Sequence, residues 1–270
     1  MFELWKADEG VNSECTVDPF YNIDREGYFK GVIGNEMISS ILALRYSPNF
    51  AFIGYYFVKE DYRHNKYGIT LFNRALKHCG ERTIELISVI EQQKNYEKSG
   101  FKTSGFMVDY TGISAHSEAK LNAIKYDEHL HLDDIATYDQ DCFPADRKEF
   151  LKNWFNKKDT STFVYYDSNN KLRGYGSIYK NDTQYVISPC YCDNKEIAKA
   201  IIALLVNSIP KNEQLIIFGP KSHQASVDFI SETNDIYHWE KGHECPIMYK
   251  NGHPNQDWQK CFSIISEGIG

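Results

Sequence analysis

The chain of 270 residues is 42% hydrophobic and 14% aromatic, enough apolar side chain for the cores of two ordinary domains. Its net charge of -7 supplies no basic field of the kind that grips a phosphate polymer, which argues against a nucleic-acid partner. No apolar run approaches the ~18 residues of a membrane helix, and the amino end, Met1 to Lys6, lacks the basic and apolar regions of a signal peptide, so the sequence reads as cytoplasmic with no membrane partner.

Met1 to Glu9 has a helical pattern. Tyr28 to Ile33, Met37 to Arg45 and Phe50 to Val58 are then predicted strands of an antiparallel meander, joined by the turn-forming Gly34-Asn35 and Ser47-Pro48-Asn49. The third strand runs through a short basic loop, Arg63-His64-Asn65-Lys66, into a helix that starts near Asn65 or Lys66. Ile69, Phe72, Leu76 and Cys79 mark one face of that helix, and Lys77-His78 followed by Gly80 marks its end. Its first amide N–H groups lack intrahelical partners and carry the positive end of the dipole, so with Arg63 and Lys66 they can hold a pyrophosphate. An ordinary turn with solvated charges is the bland alternative.

Thr83 to Val89 reads as a further strand and Phe106 to Tyr110 as the last of the first half, with small and polar residues after it. The plan then repeats. Thr162 to Asp167, Leu172 to Tyr179 and Thr183 to Pro189 are three more strands, and they feed a helix with Ile197, Ile201, Leu204 and Leu205 on one face. Asp193 and Glu196 suit a capping box for it, and Pro210 stops it. The expected fold is α/β of the α+β kind, a mixed and largely antiparallel sheet with flanking helices, duplicated as residues 1–110 and 121–270 about a linker at 111–120. In the second copy only Cys190-Tyr191-Cys192-Asp193-Asn194 joins strand to helix, without glycine and with a carboxylate where a phosphate would sit, so that copy is expected to have lost anion binding.

The order of strand, Arg63-x-x-x-x-Gly68 turn, helix, strand and a helix ending Tyr96-x-Lys98-x-Gly100-Phe101 resembles the general-control-type N-acetyltransferase (GNAT) superfamily, over about Val11 to Gly112. The resemblance implies an acetyl-CoA pyrophosphate loop in which Arg63 and Gly68 match and Lys66 stands where the family has its first glycine. It further implies cofactor contacts from Tyr56, Phe57 and Val58 and from Arg63, His64, Asn65, Lys66, Tyr67, Gly68 and Ile69, with Tyr96 as the tyrosine beside the CoA sulfur. One intact and one degenerate copy is similar to the YitH-like subgroup, as are Phe52-Ile53-Gly54, Leu172-Arg173-Gly174-Tyr175-Gly176 and Ile187-Ser188-Pro189. The family's first strand precedes its first helix, whereas here Met1 to Glu9 is already helical.

What the resemblance implies chemically is N-acetyl transfer from acetyl-CoA to a primary amine by direct attack, with Tyr96 as general acid and Glu91 or Glu85 as base. Tyr55 and Tyr191 are candidates for the acceptor pocket, and the acidic balance suits a cationic acceptor such as a polyamine, an amino sugar or a lysine side chain. An amino-acid N-acyltransferase and a non-catalytic acyl-CoA sensor are the alternatives. No metal is expected: His129-Leu130-His131 and Cys190-x-Cys192, spaced as on a strand, have no second ligand pair at zinc spacing and read as solvated histidines and buried thiols. The seven cysteines, an odd number in mostly apolar settings, read as free. No Gly-x-Ser-x-Gly or Gly-x-Gly-x-x-Gly motif supports a hydrolase or a dehydrogenase.

Overall fold

The computed structural model describes residues 20–268, so the helical reading of Met1 to Glu9 lies outside the described residues. β1 (Tyr28–Ile33), β2 (Glu36–Arg45) and β3 (Phe50–Val58) form the antiparallel meander. Alternation along β2 sends Leu42 and Leu44 to one core and Ile41 and Ala43 to another, so the strand is covered on both faces. α1 (Tyr67–Cys79) buries Leu71, Phe72, Ala75 and Cys79 against the second of these faces, and Gly80, at φ 64 with its N–H on the Leu76 carbonyl, ends it. β4 (Thr83–Ile87) follows, ending two residues before the expected Val89, and then α2 (Gln93–Lys98) and β5 (Lys102–Ile113).

The second half comprises β6 (Ile124–Lys125), α3 (Glu128–Cys142), α4 (Lys148–Phe155), β7 (Thr160–Tyr166), β8 (Leu172–Lys180), β9 (Tyr185–Cys192), α5 (Lys195–Asn207), β10 (Gln214–Pro220), α6 (Gln224–Glu232), α7 (Asn234–Tyr237), β11 (Glu240–Lys250) and β12 (Cys261–Ser263). The series β7, β8, β9, α5, β10 repeats β1, β2, β3, α1, β4 pairing for pairing, two antiparallel and then one parallel across the helix. Two local expectations are corrected. The cap of α5 is Asn194, whose side chain accepts from the Ile197 N–H at 3.0 Å, because Asp193 is engaged by Arg173 and Tyr138. His129 and His131 stand in the first turn of α3, capped by Asp127, so they diverge instead of sharing a strand face; His131 is buried, its Nδ1 accepting from the Asp127 N–H at 2.8 Å.

The strands form one sheet in the order β1-β2-β3-β4-β11-β5-β10-β9-β8-β7-β6, with β12 paired to β9 outside this path. The middle of that order is an exchange between halves. β11, from the second half, lies between β4 and β5, and β5, from the first half, is the antiparallel neighbour of β10. Partners on both edges explain why β5 outruns the expected Phe106 to Tyr110 at both ends and takes in residues 111–113 of the expected linker. One face of the sheet closes on a shared core that joins Leu42, Leu44 and Ile247 to Leu132, Ile135, Leu151 and Trp154 of α3 and α4. Each such large apolar side chain contributes about 1.5–3 kcal/mol when fully buried. α1 and α5 each cover a separate core. Six cysteines among the described residues are free and buried. No helix among the described residues is long and apolar enough to cross a membrane.

Candidate functional site

β3 and β4 pair only at Phe50/Thr83, Ala51/Ile84 and Phe52/Glu85, and then separate. On its other edge β3 is bulged: Phe57 pairs with Ser40 and Gly54 with Leu42, so Tyr55 and Tyr56 together face Ile41. Tyr55 carries the bend at φ 48. A cleft of about 700 Å³ opens where the strands part. Gly54 to Val58 form one wall and Leu86 to Val89 the other, with Arg63, His64, Lys66, Gly68 and Ile69 at one end and Tyr96 and Glu267 also on its lining.

The basic end is shaped by backbone conformation. His64 and Lys66 both adopt positive φ, 66 and 65, which turns the chain sharply into α1. Lys66 is the helix N-cap and supplies no side-chain cap, so the first N–H groups of α1 are left for another acceptor. The Arg63 Nε donates to the Val58 carbonyl at 2.9 Å, tying the loop to the strand. A Cβ at Gly68 would lie 2.4 Å from the Tyr56 hydroxyl, so the glycine lets the tyrosine close over the start of the helix. Asn65 and Tyr67 belong to the same loop and helix start but do not line the cleft.

Tyr96 is fixed by the end of its own helix. Its carbonyl accepts from the Phe101 N–H at 3.1 Å while Gly100, at φ 91, donates to Glu97 at 2.9 Å, a Schellman arrangement that explains the Gly-Phe pair. The Tyr96 ring packs on Phe72 and Phe101 at 5.4 and 6.1 Å. Burial, reinforced by the neighbouring Tyr56, raises its phenol well above the usual range, and like any unshifted phenol it carries its proton at neutral pH. Burial pushes Tyr56 up to about 12.

The other expected site residues scatter. Glu85 is buried on β4 opposite Phe52 and Tyr249 and does not line the cleft. Burial pushes its carboxyl up to about 8 against the opposing pull of Tyr249 and Arg147. Glu91 is exposed in a single turn over Ile90–Gln92, also off the cleft. Tyr55 packs its ring against the shared core and sets its hydroxyl 3.5 Å from Ser266 Oγ. Tyr191 is fully buried on β9, its ring 5.9 Å from the Arg147 guanidinium, away from this cleft.

Sequence reasoning did not find Glu267. It lies beyond β12 in a polar, glycine-containing segment with no periodic signal, and only the tertiary path of the chain brings it to the cleft. Burial pushes its carboxyl up to about 7, Cys245 and His243 pulling down and Asp109 pushing up.

In the second half the corresponding gap is filled. β12 pairs with β9 at Tyr191 and Cys190, and on its other side Ser263 Oγ accepts from the Phe218 N–H of β10 at 3.0 Å. The Asn194 side chain takes a helix-start N–H that a phosphate would use, and Asp193 is held 3.2 Å from Arg173. Among the described residues no cluster of three or more His, Cys, Asp or Glu is arranged to hold a metal ion.

Comparison with known proteins agrees with this architecture. Residues 1–101 match the model of the acetyltransferase (GNAT) family, and residues 135–263 match that of an acetyltransferase (GNAT) domain. A holothin acyltransferase of Pseudoalteromonas sp. (strain SANK 73390) is 25% identical over 253 residues, covering 93% of this chain and 84% of the relative. A candidate acetyltransferase of Pyrococcus horikoshii superposes with a TM-score of 0.83 at 15% identity, covering 100% of this chain and 91% of its own. A tandem GNAT protein from the clavulanic acid biosynthesis pathway superposes with a TM-score of 0.61 at 9% identity, 93% of each chain being covered. Two GNAT matches placed in tandem, on a sheet shared with GNAT structures, leave one assignment: the chain belongs to the GNAT superfamily of acyltransferases.

Proposed function

We propose that the β3/β4 cleft binds acetyl-CoA and that the protein transfers the acetyl group to a primary amine by direct attack. The observation that carries this reading is the coincidence, in one cleft, of an unpaired strand edge, a basic loop at an uncapped helix start, and a neutral tyrosine. The pyrophosphate would sit on the α1 N-terminus with Arg63 and Lys66, and the pantetheine arm would run back along β3 from Val58 toward Gly54. Backbone N–H groups at the bulge would stabilise the oxyanion formed when the amine adds to the thioester carbonyl. As the C–S bond breaks, Tyr96 would give its proton to the leaving sulfur.

With β12 between β9 and β10, the second half serves as structure and as the wall of the acceptor side, without a CoA site of its own. The name of the Pseudoalteromonas relative makes holothin-like amines the first acceptors to test, ahead of polyamines, amino sugars and lysine peptides. Acetyl-CoA and CoA should raise the melting temperature while ATP and NAD do not, since ligand bound only to the folded form stabilises by mass action. Absence of a shift at millimolar CoA, confirmed by calorimetry, would remove this reading.

A further inference from the structure

The reading above leaves the attacking amine without a proton acceptor, because Glu91 and Glu85 both lie off the cleft. We propose that Glu267, carried in from the far end of the chain, is the general base that takes the amine's proton on the acceptor side of the cleft.

The segment that delivers it is seated at several points. Ile264 donates its N–H to the Phe218 carbonyl at 3.0 Å, the Ile265 carbonyl accepts from Ser188 Oγ, and both isoleucines are buried. Ser266 then lies beside the Tyr55 hydroxyl and accepts from the Gly268 N–H at 3.1 Å. Gly268 presses its backbone on β3 at the bulge, where a Cβ on Gly54 would come within 1.8 Å of its carbonyl oxygen. Glu267, between these contacts, lines the cleft with Gly54, Tyr55 and Tyr96.

Position along the strand separates the two charges of the cleft. Gly268 packs on β3 at Gly54, while the phosphate loop follows the other end of the strand beyond Val58, so the segment that carries Glu267 enters away from the phosphates that its charge would repel. On the proposed path of the arm the carboxylate meets the thioester. The titratable groups facing it are Cys245 and His243 of β11 and Asp109 of β5. His243, the one potential cation among them, is exposed and sits 3.4 Å from Asp109. Among the described residues no buried cation holds Glu267 ionised, and a carboxyl that titrates near neutral pH is matched to taking up and releasing a proton. The protons balance simply. Glu267 removes one proton from the incoming ammonium and passes it to solvent, and the freed nitrogen bonds to the thioester carbon. Tyr96 protonates the sulfur as the C–S bond breaks, and the surplus proton on nitrogen restores the phenol through solvent.

The assignment rests on acetyl-CoA binding in this cleft, so the test measures binding and turnover separately. Wild type, Glu267→Gln and Glu267→Ala are compared for CoA affinity by calorimetry and for thiol release from acetyl-CoA with holothin, benzylamine, spermidine and glucosamine as acceptors, from pH 6 to 9. Both variants should keep CoA affinity within about threefold and lose about 10² or more in turnover at pH 7. The wild-type rate should rise through about pH 7, the limb should be absent from Glu267→Gln, and formate should restore part of the rate to Glu267→Ala. Wild-type turnover that either variant retains overturns the base and leaves acetyl transfer standing. A wild type that binds CoA and acetylates none of these amines overturns both, and one that binds no CoA removes the cofactor reading itself.

Discussion

Tyr249 on β11 stands directly opposite Glu85 on β4, so a buried carboxyl of the first half is faced by a strand that the chain reaches only near its end. The pairing shows how the exchange of strands joins the halves. It also places a titratable group where water does not reach.

That burial has a pH signature. Glu85 has a carboxyl raised from 4.5 to about 8, so between these values the folded protein holds a proton that the unfolded chain releases. Stability therefore falls as pH rises through this window. Glu85→Gln removes the titration, and its stability relative to wild type should improve from pH 5 to pH 9 by roughly 4 kcal/mol at about 1.4 kcal/mol per pH unit. Urea denaturation at the two pH values measures it. An equal difference at both would mean that Glu85 ionises in the fold as it does in water.

Lys66 occupies a left-handed conformation at the start of α1, φ 65, in the position where glycine is free of the Cβ penalty. That penalty is about 1–2 kcal/mol for other residues, and the side chain also stands on the cleft. Lys66→Gly should therefore stabilise the fold by about 1 kcal/mol and, with the ammonium gone from the phosphate end, bind CoA several-fold weaker, on the order of 1 kcal/mol, with a shallower salt dependence. Equal or tighter binding with an unchanged salt dependence would instead show that the ammonium does not contact phosphate.

Lys66 and Tyr96 also mark what a sequence makes legible. The loop and the Gly100-Phe101 helix end are local, their residue types dictated by a tight turn and a Schellman cap within a few positions, and so they can be read without a structure. The insertion of β11 beside β4, the filling of the second gap by β12 and the arrival of Glu267 at the cleft depend on pairings across most of the chain, for which no local pattern exists. Asp193 and Asn194 show a milder case. Both residue types cap helices, and only the distant Arg173 and Tyr138 decide that Asp193 does not.

Gly54 tests the seating of the terminal segment. An added methyl would meet the Gly268 carbonyl at 1.8 Å, a contact with backbone that one partner must relieve by moving. Gly54 is held in the sheet by its pairing with Leu42, whereas residues 266–268 are only partly buried, so the terminal segment should move. Gly54→Ala is expected to leave stability within about 1 kcal/mol of wild type, speed amide exchange at residues 266–268, and lower turnover toward that of Glu267→Gln. Unchanged exchange and unchanged turnover would show that Gly54 is free to carry a side chain.

Tyr96 separates a catalyst from a protein that only holds CoA. Phenylalanine keeps the ring packed on Phe72 and Phe101 and deletes the one proton this side chain can donate. Binding should persist, since the pyrophosphate end of the cleft is untouched, while expulsion of the CoA thiolate slows. Loss of a positioned acid costs about 10² to 10⁴ in rate, roughly 3 to 5 kcal/mol of barrier, well beyond what a conserved aromatic packing would change. Tyr96→Phe should therefore keep CoA affinity within about threefold, under 1 kcal/mol, and lower turnover at least a hundredfold with any amine the wild type acetylates. Equal turnover in the two proteins would sink Tyr96 as the acid and leave the leaving sulfur to be protonated by water.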